Sequence, residues 1–132
     1  MRKGIVFGAF DLLHAGHVHM LRQCKNHCDH LIVALQVNPK IDRASKNSPV
    51  ESILEREIRL TGCKYVDSYI VYESDEEIPT ILTYLKPDIR FLGSDYKDRS
   101  DQIIAKEIVP IHYTEWIPPT SSELRARIKH AK

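Results

Sequence analysis

The chain has 132 residues, 42% hydrophobic and 28% charged, values of an ordinary globular protein that exclude collagen-like, low-complexity and disordered chains. Lys and Arg total 19 against 18 Asp and Glu, a formal net charge of +1, so no global field draws a nucleic acid or an anionic membrane and any anion site must be local. Cys24, Cys28 and Cys63 form no paired framework, and reduced thiols in a cytoplasmic chain are expected. The expectation is one domain over residues 1–132, with neither a signal peptide nor a membrane span.

Residues 3–8 read as a short buried strand, because Gly4, Ile5, Val6 and Phe7 are near-continuously apolar and Gly8 breaks the run. From Gly16, the apolar positions Val18, Leu21, Cys24 and Cys28 recur at helical spacing. Residues 31–37 form the next strand, closed by Asn38-Pro39. Residues 40–49 are polar, a loop long enough to be a lid. A second helix is expected over residues 51–61 with Gly62 as its stop, and a third strand over residues 66–72. Ser74 with Glu77 three residues on reads as a helix cap, and that helix runs to Leu85 before Lys86-Pro87. Strands follow at residues 89–92 and 108–113, with a short helix near residues 102–106 between them. Pro118, Pro119 and Thr120 then introduce a last helix over residues 121–131, with Leu124 and Ile128 on one face.

Alternating strands and helices of these lengths predict an α/β fold: a Rossmann-like, doubly wound parallel sheet of about five strands with helices on both faces. Ligands of such sheets sit beyond the carboxyl ends of the strands. The site is therefore expected to collect residues 8–17, 38–46, 93–96 and 118–122.

The segment from Gly8 through Ala9, Phe10 and Asp11 to His14-Ala15-Gly16-His17 joins the first strand to the first helix. Free backbone N–H groups and the helix dipole attract an anion there. The segment is neither a Walker A loop nor GxGxxG. Instead, two imidazoles three residues apart flank Gly16, a spacing that brings both rings to one side, where they can grip one phosphate chain.

His14-Ala15-Gly16-His17 after Phe10-Asp11 resembles the HxGH signature of the small nucleotidyltransferases, the cytidylyltransferase-like superfamily. Arg56, Tyr65-Val66-Asp67, Gly93-Ser94-Asp95-Tyr96 and Thr120-Ser121-Ser122 also resemble family landmarks in the family's order. Within that superfamily the chain resembles glycerol-3-phosphate cytidylyltransferase, which has a similar length, and the adenylyltransferase domain of the heptose-phosphate enzymes. The resemblance implies attack of an acceptor phosphate on the α-phosphorus of a nucleoside triphosphate, with release of pyrophosphate. It also implies Mg2+ as cofactor and a homodimer. The leading expectation is CTP with a small polyol phosphate such as glycerol 3-phosphate. ATP with a sugar or vitamin phosphate is the alternative, and a non-catalytic nucleotide-binding module a further one.

A phosphate monoester, with a second pKa near ~6, is already ionised at neutral pH, so its attack needs no general base and catalysis rests on positioning and charge neutralisation. His14 and His17 are assigned the role of donors to the α- and β-phosphates. Thr120, Ser121 and Ser122 either cradle phosphate oxygens or merely cap the last helix, and the resemblance favours the cradle. By the same resemblance Lys46 reaches over the phosphates, although a loop lysine is usually just solvated. Arg56 is either a surface residue between Glu55 and Glu57 or a bidentate phosphate donor, and the donor role is favoured. Gly8, Ala9, Phe10, Asp11 and Gly16 complete the expected nucleotide-binding turn, Asp11 orienting either the turn or a metal. Asp95 and Tyr96 fall where nucleotide or ribose contacts are expected, and Asp67 is read as fixing backbone at a strand start or a subunit contact.

His27 and His30 beside Cys24 and Cys28 invite a zinc reading, rejected because both cysteines lie on the apolar helix face. Arg125, Arg127, Lys129 and Lys132 form a basic tail that offsets the helix dipole. The sequence departs from the cytidylyltransferase pattern at Glu115-Trp116-Ile117-Pro118-Pro119, where an Arg-Thr-Glu-Gly run is usual. It also places Ala9 for a threonine and Asn38 for an aspartate. Gly93-Ser94-Asp95-Tyr96 is closer to the Gly-Gly-Asp-Tyr run of the heptose-type enzymes.

Overall fold

Strands Lys3–Gly8 (β1), His30–Gln36 (β2), Ser68–Tyr72 (β3), Ile89–Gly93 (β4) and Ile111–Thr114 (β5) form one sheet in the order β3-β2-β1-β4-β5. Every neighbouring pair is parallel. The structure, a computed structural model, describes residues 1–115 and 120–131. The expected helix start at Pro118 and Pro119, with Trp116 and Ile117 before it and Lys132 of the basic tail, lies outside the described residues. The helices are Ala15–Asn26 (α1), Ile53–Thr61 (α2), Ile78–Leu85 (α3) and Ser121–His130 (α4). Among the described residues, no helix is long and apolar enough to cross a membrane.

Both faces of the sheet are covered, which is why its strands read as continuous apolar runs. Val6, Leu31, Val33, Leu35, Ile89 and Phe91 pack with Leu21 and Cys24 of α1 and Leu60 of α2. The alternate residues Ile5, Ile32, Ala34 and Tyr72 pack with Ile78 and Leu82 of α3 on the other face. Cys24 is a buried core residue of the first of these layers. The chain runs outward from β1 to β3 and then returns to lay β4 on the free side of β1. That reversal opens a crevice beyond Gly8 and Gly93, at the switch point where such folds bind ligands.

The third strand starts at Ser68 rather than residue 66, because the Asp67 carboxylate takes up the Leu31 N–H at 2.8 Å and pairs with Lys25 at 2.5 Å. Asp67 therefore fixes backbone at the strand start. The expected short helix near residues 102–106 is replaced by a 3-10 segment, Ser94–Gln102. Ala105 stands at φ 58, in the left-handed region, and no helix runs through it. β5 begins at Ile111, one residue after Pro110, whose missing N–H cannot join a ladder. Ser74 and Glu77 do form a capping box, but on a 3-10 turn, Asp75–Glu77, that precedes α3. On α4, Ile128 is 71% exposed, so the face expected from Leu124 and Ile128 is not a buried stripe.

Gly4 marks the tightest approach in the α1-side layer. A Cβ there would lie 2.5 Å from Phe91 Cε2 and 3.0 Å from Cys28 Sγ. Gly4→Ala should therefore destabilise the fold by about 1–3 kcal/mol, read as a lower midpoint with an unchanged slope in urea denaturation.

Candidate active site

A cleft of about 440 Å³ lies across the carboxyl edge of the sheet, and Gly8, Gln36, Tyr72, Gly93 and Thr114 line it from the ends of all five strands. Around them stand Ala9, His14, Gly16 and His17 from the first turn, Arg43 and Lys46 from the loop after β2, Tyr96 after β4, and Thr120 and Ser121 at the start of α4.

The turn between β1 and α1 is strained. Phe10 and Leu12 have φ of 47° and 60°, a region that non-glycine residues enter only when the surroundings hold them there. Phe10 is anchored by burial in the α1-side core. Asp11 is held from three directions: its carboxylate accepts from Val50 N at 2.8 Å and Glu51 N at 3.0 Å, and pairs with Arg125 at 3.2 Å. Leu12 N donates to the Glu51 carboxylate at 2.7 Å. Asp11 thus ties the turn to the start of α2 and to Arg125.

His14 is the N-cap of α1, and its Nδ1 accepts from Gly16 N at 3.1 Å. His17 Nδ1 in turn accepts from His14 N at 3.3 Å. An Nδ1 that accepts carries no proton, so in both neutral rings the proton sits on Nε2. The rings stack with centroids 3.8 Å apart and planes 21° from parallel. Burial, then the neighbouring His14, hold His17 down at about 4, against the ordinary 6.5, and burial lowers His14 as well. The pair is therefore neutral at pH 7, two imidazoles each with an Nε2–H donor, standing at a helix start whose dipole favours an anion.

α4 brings a second helix start to the same place. His14 Nε2 lies 3.0 Å from Ser121 Oγ, a contact across 107 residues. Thr120 caps the helix by accepting from Glu123 N at 3.1 Å, and Ser122 is exposed outside the cleft lining. Of the three hydroxyls, Ser121 stands against the imidazoles.

Arg56 is not where a phosphate donor would be. It is 2% exposed, and its guanidinium donates to Ala9 O at 3.1 Å, Gln36 O at 2.6 Å, Val37 O at 2.5 Å and Glu51 O at 3.3 Å. It binds the ends of β1 and β2 to α2, so the expected phosphate role is corrected to a backbone anchor. Asp95 is also absent from the cleft lining and pairs with Arg99 at 2.7 Å, while its neighbour Tyr96 does line the cleft. Arg43 lines the cleft from the expected stretch 38–46, whereas Asp75, Tyr72 and Arg90, which also line it, lie outside the stretches the sequence pointed to. Arg90 had a signal: a charge inside the apolar run Ile89-Arg90-Phe91-Leu92, in a strand that has to be buried.

The profile of the cytidylyltransferase-like family matches residues 5–126. The chain is a nucleotidyltransferase domain of that family. It is 33% identical over 136 aligned positions, 99% of its length, to the bifunctional protein HldE of Campylobacter concisus, and 37% identical over 100 positions, 74% of its length, to HldE of Campylobacter jejuni subsp. jejuni. It spans 28% and 22% of those relatives' lengths. Among solved structures, a lipopolysaccharide core biosynthesis protein from Thermoplasma volcanium superposes with a TM-score of 0.69 at 26% identity, covering 91% of this chain and 99% of that one. Pantothenate synthetase from Thermus thermophilus shares the fold at a TM-score of 0.63 and 14% identity, covering 90% of this chain and 57% of that one.

Two outcomes follow for this nucleotidyltransferase domain. Arg56→Met should lower the unfolding free energy by about 2–4 kcal/mol by stranding buried carbonyls, as read by urea denaturation. Weaker nucleotide binding with stability intact would return Arg56 to the phosphate role. The second concerns His17, whose pKa falls from 6.5 unfolded to about 4 folded. Between those values the unfolded chain binds more protons, so stability is complete above pH 6.5 and falls as the pH drops towards 4. His17→Gln should flatten that slope in denaturation curves taken across the window.

Proposed function

We propose that this domain transfers AMP from ATP to the phosphate of a sugar phosphate, releasing pyrophosphate. The observation that carries nucleotidyl transfer is the stacked His14–His17 pair, neutral and donating from Nε2, set between the starts of α1 and α4. An oxygen of the acceptor phosphate forms the new bond to the α-phosphorus as the bond to the β-phosphate bridging oxygen breaks, and that oxygen leaves with pyrophosphate. The acceptor is already ionised, so no proton has to move. The two Nε2–H donors meet the charge that grows on the phosphates, and the two helix starts add fixed partial charge without reorganisation. Lys46, on the rim of the cleft, supplies a mobile positive charge from the loop after β2.

The HldE relatives support ATP and a sugar phosphate over the first expectation, CTP and glycerol 3-phosphate. The Gly93-Ser94-Asp95-Tyr96 run and the absence of an arginine at Glu115 point the same way. Mg2+ is bound largely by phosphate oxygens and water with one or two carboxylates. Among the described residues, no three His, Cys, Asp or Glu side chains gather into a metal cluster, and Asp11 is engaged. Mg2+ would therefore be held chiefly by the phosphates of ATP.

Pyrophosphate release measured with ATP or CTP, against a panel of sugar phosphates and glycerol 3-phosphate, tests the reading. Turnover of ATP with a sugar phosphate is expected, and His14→Ala or His17→Ala should each lower it by about 10²–10³-fold. CTP turnover with glycerol 3-phosphate would overturn it. Because the imidazoles act as neutral donors, activity should fall below about pH 6 as the acceptor phosphate takes up a proton, with no loss between pH 7 and pH 8. A rate that fell as the pH rose through 6.5 would instead require an imidazolium.

A further inference from the structure

Arg90 is a buried guanidinium that joins no ion pair among the described residues. It is 4% exposed and lines the cleft. Its Nη1 donates to Ile104 O at 2.6 Å, Cζ lies 5.0 Å from the Phe7 ring centroid, and Nε is buried with no partner among the described residues. The ion pairs among the described residues join Lys25 to Asp67, Arg59 to Glu51, Arg99 to Asp95 and Arg125 to Asp11, and none includes Arg90. A buried charge held this way costs stability unless something completes its hydrogen bonds.

Its place in the sheet says what that is. Arg90 pairs in register with Ile5, three residues before the strand ends at Gly8 and Gly93, so its backbone lies about 10 Å below the rim. Ile89 and Phe91 face α1, and Arg90 faces the α3 side, where it meets Phe7. His14 and His17, at the start of α1, belong to the other side. A substrate with its phosphate at the imidazoles and its body on the α3 side therefore ends at Arg90.

The surrounding charges balance. Arg43 and Asp75 line the same part of the cleft, and Asp42 stands beside them, its carboxylate taking Gln36 Nε2, Ser74 Oγ and Asp75 N. Burial, then the neighbouring Asp42, keep Asp75 above the usual carboxylate range. Arg43 and Arg90 supply donors and Asp75 an acceptor in one cleft, the mixture that vicinal hydroxyls satisfy, whereas a second anionic group would share the cleft with Asp75 and Asp42. Tyr72 and Phe7, in edge contact at 5.5 Å, supply the apolar wall.

We propose that the α3 side of the cleft is the sugar pocket of the acceptor, in which Arg90 donates to, and Asp75 accepts from, hydroxyls of the polyol and so sets which sugar phosphate is used. This rests on the reading of the acceptor as a sugar phosphate.

The test compares wild type, Arg90→Met and Arg90→Lys in ATP-dependent pyrophosphate release with glucose, mannose and galactose 1-phosphates. Binding of the same compounds and of inorganic phosphate is measured calorimetrically. Arg90→Met should fold, since it removes a buried unpaired charge, and Arg90→Lys carries the comparison if it does not. Loss of hydrogen bonds from a charged donor should raise KM for the preferred sugar phosphate about 10–100-fold in Arg90→Met and narrow the preference among the three epimers, with KM for ATP within about twofold. Unchanged epimer preference with wild-type turnover overturns the inference and leaves adenylyl transfer standing. Absence of turnover with every acceptor counts against adenylyl transfer instead. The calorimetry then decides Arg90: hexose phosphate binding that exceeds inorganic phosphate binding and weakens in Arg90→Met supports the pocket, and binding equal in both proteins overturns it.

Discussion

Four backbone carbonyls converge on one buried guanidinium, and the cleft depends on that convergence. Ala9 O, Gln36 O, Val37 O and Glu51 O lie at the sheet edge or just before α2, and Arg56 takes all four. A planar fork of five fixed donors suits this task, and a lysine's single ammonium would not span it. Because Ala9 and Glu51 are held together, Asp11 can reach Val50 N and Glu51 N, and Leu12 N can reach Glu51. The left-handed residues Phe10 and Leu12 persist because their surroundings over-determine them. Strain in the turn is thus supported by a buried charge that does not line the cleft.

The same turn governs the chemistry of the imidazoles. Each Nδ1 is consumed by an N–H of the helix start, which leaves Nε2–H as the one group that each neutral ring can present. Here the cap fixes the tautomer, and burial keeps the proton count constant across the physiological range. His14 Nε2–H rests on Ser121 Oγ, so both rings are fixed in orientation by the protein alone.

Much of the architecture was legible because buried parallel strands and amphipathic helices write different periods, and residues such as Ile5, Val33 and Leu21 sit where those periods put them. His14 and His17 were legible because a histidine pair around a glycine has no packing purpose. The anchoring role of Arg56 is not legible for a physical reason: its neighbours Glu55 and Glu57 suggest a helix surface and the family resemblance a phosphate, and only the folded sheet brings residues 9, 36 and 37 to it. The helix placed near residues 102–106 failed on Ala105, whose left-handed backbone no propensity announces. Arg90 is the converse case, a local anomaly in plain view whose meaning needed Phe7, Asp75 and Ile104 around it.

The strand order also governs how the molecule comes into being. β1, β2 and β3 can pair as they leave the ribosome, each beside its predecessor, but β1 keeps one edge unpaired until Ile89 arrives to meet Gly4, eighty-five positions later. Closing so long a loop is slow compared with local pairing. Until then an apolar central strand lies open, the kind of edge on which nascent chains associate wrongly. The ligand crevice is therefore among the last features to form, and its appearance coincides with the burial of the most vulnerable edge in the sheet.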